Sequence, residues 1–200
     1  MDTRQLTRLP LEDGELWWDP QFIPADETSG LQKALEQQIH WRQDNIQMFG
    51  RSVAIPRLQA WIGDPGCRYR YSGVTLEPQP WDSASTALRQ RIERAIDVHF
   101  NGVLANLYRD GSDSVGWHAD NEPELGPEPL IASLTLGAER RFCLRHRTDN
   151  NRSMELRLPD GALLIMAGPL QHHWLHAVPK SRHALAPRIN LSFRRICLRR

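Results

Sequence analysis

The chain has 200 residues, with 25 Lys and Arg against 24 Asp and Glu and a formal net charge of +1. That length suits one domain with a sizeable core, and the balanced charge excludes a partner recruited by a global field. Three cysteines lacking CxxC or zinc-finger spacing argue against a disulfide scaffold and predict buried free thiols in a reducing compartment.

The N-terminal stretch MDTRQLTRLPLEDGELWW lacks the apolar run of a signal peptide. No segment reaches the length of a membrane span. The expectation is a soluble protein with no membrane partner, cytoplasmic, or nuclear in a eukaryote. A first helix is predicted from Ser29 to about Trp41, where Leu31, Ala34, Leu35, Gln38 and Ile39 keep a mostly apolar stripe at helical spacing. A second is predicted from Ser83 to Phe100, with Leu88, Ile92, Ala95 and Ile96 on one face. Asp82 or Ser83 can cap its start. The stretch between them is rich in aromatics, Gly and Pro, and reads as short strands and turns.

After residue 100 the pattern becomes VLANLY, LIASLTLG, RRFCLRH, SMELRL, ALLIMAG, WLHAV and RINLSFRR, separated by turns such as RDGSD, RTDNN and PDG. Short strands with regular turns suggest an antiparallel sandwich, and a jelly roll fits the count. The predicted class is α+β, with two N-terminal helices packed against a jelly-roll core. The chain reads as a single domain over residues 1–200. Residues 1–100 form an extension and a lid (about 45–80), and residues 101–200 the core.

In the last strand, Ile189, Leu191 and Phe193 share one face, and Arg188, Asn190, Ser192 and Arg194 the other. The two arginines begin ~20 Å apart at ~3.3 Å per residue. Their long side chains can still close on a small diacid, because guanidinium forks donate paired hydrogen bonds to carboxylates. Upstream, GWHADNEPEL sets His118 and Asp120 two apart, on one face of a strand, where both can reach one ion. LQHHWLHAVP offers His172, His173 and His176 as a third ligand. On a strand His176 shares a face with His172, and spacing alone does not choose among the three. Two histidines and a carboxylate suit Fe(II) with open positions for cosubstrate and oxygen. Zinc in a hydrolase can use the same set. The arginine face favours a dicarboxylate cosubstrate.

NLYRDGSDSVGWHADNEPELG, PLIASLTLGAERRF, HHWLHAVPK and APRINLSFRR resemble the AlkB family of Fe(II)- and 2-oxoglutarate-dependent dioxygenases. With IQMFGRSVAIPRLQAWIGDPGCRYRYSG upstream, the resemblance covers roughly residues 45 to 196. It implies a double-stranded β-helix, a jelly-roll variant. It implies His118, Asp120 and His176 as ligands of Fe(II), with His172 and His173 as neighbours. Asn106 and Tyr108 match contacts of 2-oxoglutarate, and Arg188 matches the partner of its distal carboxylate. Arg194 matches the arginine near the metal-chelating end, with Asn190 and Ser192 on the same strand face.

The activity implied is direct-reversal repair of alkylated DNA, and of RNA as a second substrate, by a monomeric enzyme. Dioxygen and 2-oxoglutarate are consumed, the alkyl carbon is hydroxylated, and the base of 1-methyladenine or 3-methylcytosine is restored with loss of formaldehyde. The target must be flipped out of its stack. Tyr71 matches an aromatic that stacks on the flipped base, and Tyr69 would line the same entrance. Asn121 and Glu122 fall where the family contacts the base edge. Several relatives carry an acid immediately after the iron-binding Asp, and this chain carries Asn121 instead. QMFGR resembles a duplex-inserting hairpin in which Phe49 wedges, Gly50 turns, and Arg51, with Arg57 nearby, holds phosphates. PRLQAW, SVGWHADNEP and ASLTLGAER resemble a branch that prefers single strands and RNA, so strand preference stays open. Arg195, Arg199 and Arg200 offer phosphate contacts or a solvated tail. The alternatives are a same-family oxygenase acting on protein or lipid, and a catalytically silent nucleic-acid binding module.

Overall fold

The computed structural model describes residues 6–48, 50–71, 74–183 and 185–197. Phe49, Arg199 and Arg200 lie outside the described residues, as does the side chain of Tyr71. In chain order the elements are β1 (Thr7–Leu9), β2 (Glu15–Asp19), α1 (Ala25–Gln38), β3 (Asn45–Met48), β4 (Arg51–Ala54), β5 (Leu58–Gly63), β6 (Tyr69–Tyr71) and β7 (Val74–Leu76). Then come α2 (Ser83–Ile96), β8 (Gly102–Tyr108), β9 (Val115–His118), β10 (Ile131–Gly137), β11 (Arg140–His146), β12 (Ser153–Leu158), β13 (Leu163–Ala167), α3 (Leu170–His173), β14 (Trp174–Val178) and β15 (Arg188–Arg194).

Among the described residues the strands form a seven-stranded sheet in the order β1-β2-β13-β10-β15-β8-β5 and a four-stranded sheet in the order β12-β11-β14-β9. Their pairings are antiparallel. Two further hairpins, β3–β4 and β6–β7, stand apart from both sheets. This is the expected jelly roll. The large sheet draws β1, β2 and β5 from the first hundred residues, so that stretch is woven into the core sheet as well as carrying helices and hairpins.

Strand periodicity explains the layering. In β15 all seven residues are buried. Ile189, Leu191 and Phe193 join Leu35 of α1 and Leu88 and Ile92 of α2 in one apolar core. The second core lies between the sheets, where Leu104, Ile131, Leu164 and Met166 meet Phe142, Leu144 and Val178. The large sheet is thus covered on both faces, and the arginine-bearing face of β15 is interior.

Helix ends follow from local chemistry. α1 begins at Ala25, four residues ahead of the expected start at Ser29. Pro24 occupies its N-cap, and Asp26 and Glu27 in the first turn complement the helix dipole. α2 is capped by Asp82, whose carboxylate accepts the Ser85 amide at 2.8 Å. It stops at Ile96 rather than Phe100, because Asp97 turns into the left-handed region at φ 54°. The expectation of buried thiols holds for Cys67 alone. Cys143 is half-buried and Cys197 is exposed, being placed on an outward-facing strand position and in the C-terminal segment.

Candidate active site

His118 is the last residue of β9, and its register partner on β14 is His176. The two rings therefore face one another, with centroids 4.2 Å apart. Asp120 lies just past the end of β9 rather than on the strand. The chain turns there, and the turn brings the carboxylate back between the imidazoles. Asp120 Oδ1 is 3.9 Å from His118 Nε2 and Oδ2 is 3.8 Å from His176 Nε2. One ligand atom from each of the three lies within 4.8 Å of the others.

The sequence places His172 and His173 on the same strand as His176. They lie instead on α3, the short helix preceding β14, so the chain changes direction between them and the site. His172 donates from Nε2 to the Pro127 carbonyl, on the loop that follows Asp120.

The ligand atoms are held ready. His118 Nδ1 lies 2.8 Å from the Gly116 carbonyl, which only an N–H can satisfy, so Nε2 is left with its lone pair toward the site. Asp120 is 2 % exposed. Arg194 Nη2 donates to its Oδ1 at 2.9 Å, and its own backbone N–H donates to Gln171 Oε1 at 2.9 Å. Gln171 is wholly buried on α3, and its amide faces Met166 Sδ.

Burial works to raise the Asp120 pKa, but Arg194, His176 and His118 outweigh it and hold the carboxyl below its ordinary range. Burial, reinforced by the neighbouring His118, pushes His176 down to about 3. Burial also lowers His118. Near neutral pH the set is therefore two neutral imidazoles and one carboxylate, the protonation state a divalent ion requires.

A cavity opens beside the triad, lined by Arg57, Asn106, Tyr108, Asn190, Ser192 and Arg194 among others. The polar face of β15 supplies part of this wall. Asn190 donates to Ser133 Oγ at 2.8 Å and to the Leu134 carbonyl at 3.0 Å. At its far end Arg188 is 1 % exposed. Its Nη2 donates to Thr135 Oγ1 at 2.9 Å, and its guanidinium stands 5.1 Å from the Tyr108 ring centroid. Nε and Nη1 of Arg188 are buried with no hydrogen-bond partner among the described residues. Burial lowers its pKa to about 10, so it stays charged at neutral pH. A buried guanidinium with open donors fits an anionic ligand of this site. The residues present therefore suit both a divalent ion and a carboxylate-bearing cosubstrate.

Sequence reasoning placed two side chains differently. Arg57, read as a phosphate contact, is 4 % exposed and donates from Nε to Asn106 Oδ1 at 2.7 Å. It is a wall of the cavity, because β5 begins there and buries what precedes it. Tyr69, read at an entrance, is wholly buried. Its ring lies 4.8 Å from that of Trp61, and Arg194 Nη1 donates to its hydroxyl. Glu122 is half-buried. Burial raises its carboxyl pKa, and it shares a hydrogen bond with Tyr69. Asn121 is exposed. Arg51 is exposed on β4, and Gly50 supplies the positive φ of 74° at the β3–β4 turn.

Two contributors were missed. Gln171 carries no ligand chemistry and gave no signal. Arg140 is buried and ties the carbonyls of Asp110, Asp113 and Pro179 together behind Tyr108. Its strand position, facing inward on β11, was the available clue.

Residues 15–194 match the model of the 2OG-Fe(II) oxygenase superfamily. The chain is 38% identical over 180 residues to "DNA oxidative demethylase ALKBH2" of Mus musculus, covering 85% of this chain and 75% of that protein. It is 41% identical over 160 residues to the Homo sapiens protein of the same name, covering 76% and 61%. It is 39% identical over 186 residues to "Alpha-ketoglutarate-dependent dioxygenase alkB homolog 3" of Homo sapiens, covering 88% and 64%. The chain thus spans between 61% and 75% of the length of these relatives. Among solved structures, "The structure of OsALKBH1" superposes with a TM-score of 0.66 at 15% identity, covering 94% of this chain and 99% of that one. That likeness concerns the fold.

Proposed function

This chain belongs to the 2OG-Fe(II) oxygenase superfamily and, within it, to the AlkB family, and from that membership we propose that it oxidatively removes small alkyl groups from nucleobases. The substrates are 1-methyladenine and 3-methylcytosine in DNA, with RNA as a second polymer. The observation that carries the reading is the His118–Asp120–His176 triad opening on a cavity walled by Asn106, Tyr108, Asn190 and Arg194, with the open-donor guanidinium of Arg188 set against the Tyr108 ring.

In this reading His118, Asp120 and His176 hold Fe(II). Arg188 takes the distal carboxylate of 2-oxoglutarate. Asn106, Tyr108, Asn190 and Ser192 shape its slot, and Arg194 steadies the metal end through Asp120. Together Fe(II) and 2-oxoglutarate, with dioxygen as second cosubstrate, supply the oxidation that hydroxylates an alkyl carbon and releases succinate and carbon dioxide. The hydroxylated carbon then leaves the base nitrogen as formaldehyde.

The chain's own residues bind, orient and exclude water. Gln171 and Arg194 fix the carboxylate. Phe142 packs on His176 with ring centroids 5.4 Å apart and keeps that ligand dry. Glu122 and Asn121 stand at the base edge. The alkylated base carries positive charge, and a carboxylate there selects it over the undamaged base. Tyr71 supplies the stacking surface, with stacking worth ~1–3 kcal/mol per base. Tyr69 supports Glu122 from within. The hairpins β3–β4 and β6–β7 act as the lid over residues 45–80, with Phe49 as wedge and Arg51 on phosphate. The enzyme works as a monomeric single domain, with the lid in residues 1–100 and the core sheet completed by β1, β2 and β5 from that same stretch, in the cytoplasm or nucleus and without a membrane partner. No described helix is long and apolar enough to cross a membrane.

The test is mass spectrometry of single- and double-stranded oligonucleotides carrying 1-methyladenine or 3-methylcytosine. Methyl loss should require Fe(II) and 2-oxoglutarate and nearly vanish in Asp120→Ala. Succinate release driven by a peptide instead would point to a protein substrate. Tight oligonucleotide binding without turnover would point to a binding module.

A further inference from the structure

A second cluster of ligand-type side chains sits outside the triad. Asp13, His146 and His173 each bring one ligand atom within 4.8 Å of the others. They come from three distant segments: the turn between β1 and β2, the last residue of β11, and the last residue of α3. His146 forms the floor. It is 6 % exposed, and its Nε2 is buried with no hydrogen-bond partner among the described residues. That nitrogen points toward Asp13 Oδ2, 3.5 Å away. The ring is fixed on its other sides. It lies near-parallel to His173, with centroids 5.9 Å apart, and edge-on to Trp174 at 5.3 Å. The Thr148 N–H donates to Nδ1 at 3.4 Å, and Thr148 Oγ1 stands 3.3 Å from the same nitrogen.

We propose that Asp13, His146 and His173 form a second divalent-cation site, separate from the triad and suited to Zn²⁺. Two imidazole nitrogens and one carboxylate oxygen are a common zinc donor set, with bonds of about 2.0–2.2 Å. His146 offers Nε2 from a fixed ring. Metal binding at Nε2 places the ring proton on Nδ1, where the Thr148 hydroxyl 3.3 Å away accepts it and the Thr148 N–H gives up its long 3.4 Å contact with the metal-free ring. Asp13 and His173 are exposed, so they can close on the ion from the solvent side.

Arg152 is a built-in competitor. Its Nη1 donates to Asp13 Oδ2 at 2.8 Å, while its Nη2 lies 3.3 Å from Glu12 Oε2. When the ion takes Asp13, Glu12 keeps the guanidinium paired. Occupancy ties the N-terminal hairpin to α3, the element that carries Gln171.

The test titrates metal-free protein with Zn²⁺ alone, by calorimetry, with Co²⁺ absorption as a second readout. The wild-type chain should bind two equivalents and Asp120→Ala one. In the Asp120→Ala background, His173→Ala or Asp13→Asn should weaken the remaining equivalent by at least about tenfold, while Arg152→Gln should tighten it. Both ligand substitutions are at exposed positions, and a thermal melt of each variant checks that the fold is kept. Zn²⁺ should also slow amide exchange across residues 7–19 in Asp120→Ala and lose that effect in Asp120→Ala/His173→Ala. Absence of any bound Zn²⁺ in Asp120→Ala, or a remaining equivalent indifferent to both ligand substitutions, would overturn the site.

Discussion

Arg194 and Asp120 form an ion pair sealed from solvent: Nη2 and Oδ1 are 2.9 Å apart, and the two side chains are 2% and 3% exposed. Removing one partner of such a pair leaves a buried charge uncompensated and costs about 3–5 kcal/mol. We expect Arg194→Met to lower the urea stability of the metal-free protein by about that amount. Fe(II) should restore part of the loss, because the ion supplies the missing positive charge. An unchanged midpoint would show that the pair contributes no net stability.

Arg188 should behave in the opposite way. Its open donors make it a cost to the empty protein and an asset to the liganded one. Arg188→Met should leave the melting temperature of the metal-free chain unchanged or raised. It should raise the KM for 2-oxoglutarate roughly tenfold to a hundredfold, the range expected for lost hydrogen bonds to a charged group. Succinate release measured against 2-oxoglutarate concentration, beside a thermal melt, separates the two effects.

The depressed His176 sets a pH window for the metal-free protein. Its imidazole titrates near 6.5 when unfolded and near 3 when folded. Between those values the unfolded chain binds more protons, so acid favours unfolding. Stability should be full above pH 6.5 and decline as pH falls toward 3, by at most about 1.4 kcal/mol per pH unit from this residue. Denaturant unfolding in chelator across that range measures the slope. His176→Gln should flatten it.

Gln171 positions a ligand without touching the ion. Gln171→Leu leaves the Asp120 N–H without its acceptor, at a cost of about 1–3 kcal/mol. Fe(II) affinity should drop with it, whereas Gln171→Glu, which keeps an acceptor oxygen, should recover most of the binding. Equal loss in both variants would assign the residue to packing alone.

Much of this was legible in sequence for a physical reason. A period of two is printed in the residues themselves, so the polar and apolar faces of β15 could be read from Arg188 to Arg194. Strand bounds after residue 100 followed from turns whose chemistry is local. What escaped depends on contacts distant in the chain. α3 is one turn long, too short to show a helical period, so His172 and His173 looked like strand residues. An arginine in a loop reads alike whether it meets phosphate or Asn106, and only the packing of β5 on β8 buried Arg57. Tyr69 sits in a three-residue strand whose inward face is set by Trp61 and Arg194, neither adjacent in sequence. The N-terminal strands β1 and β2 are brief, and nothing nearby announced that their partner would be β13.

That last pairing carries an implication for biogenesis. Leu16 is aligned with Met166 across β2 and β13, so one flank of the large sheet waits for a strand about 150 residues later in the chain to be synthesised. Contacts of such long sequence separation are slow to form. Until β13 emerges from the ribosome, β2 offers an unsatisfied strand border with Trp17 and Trp18 upon it, a natural target for a chaperone and a place where premature chain termination would leave an adhesive fragment.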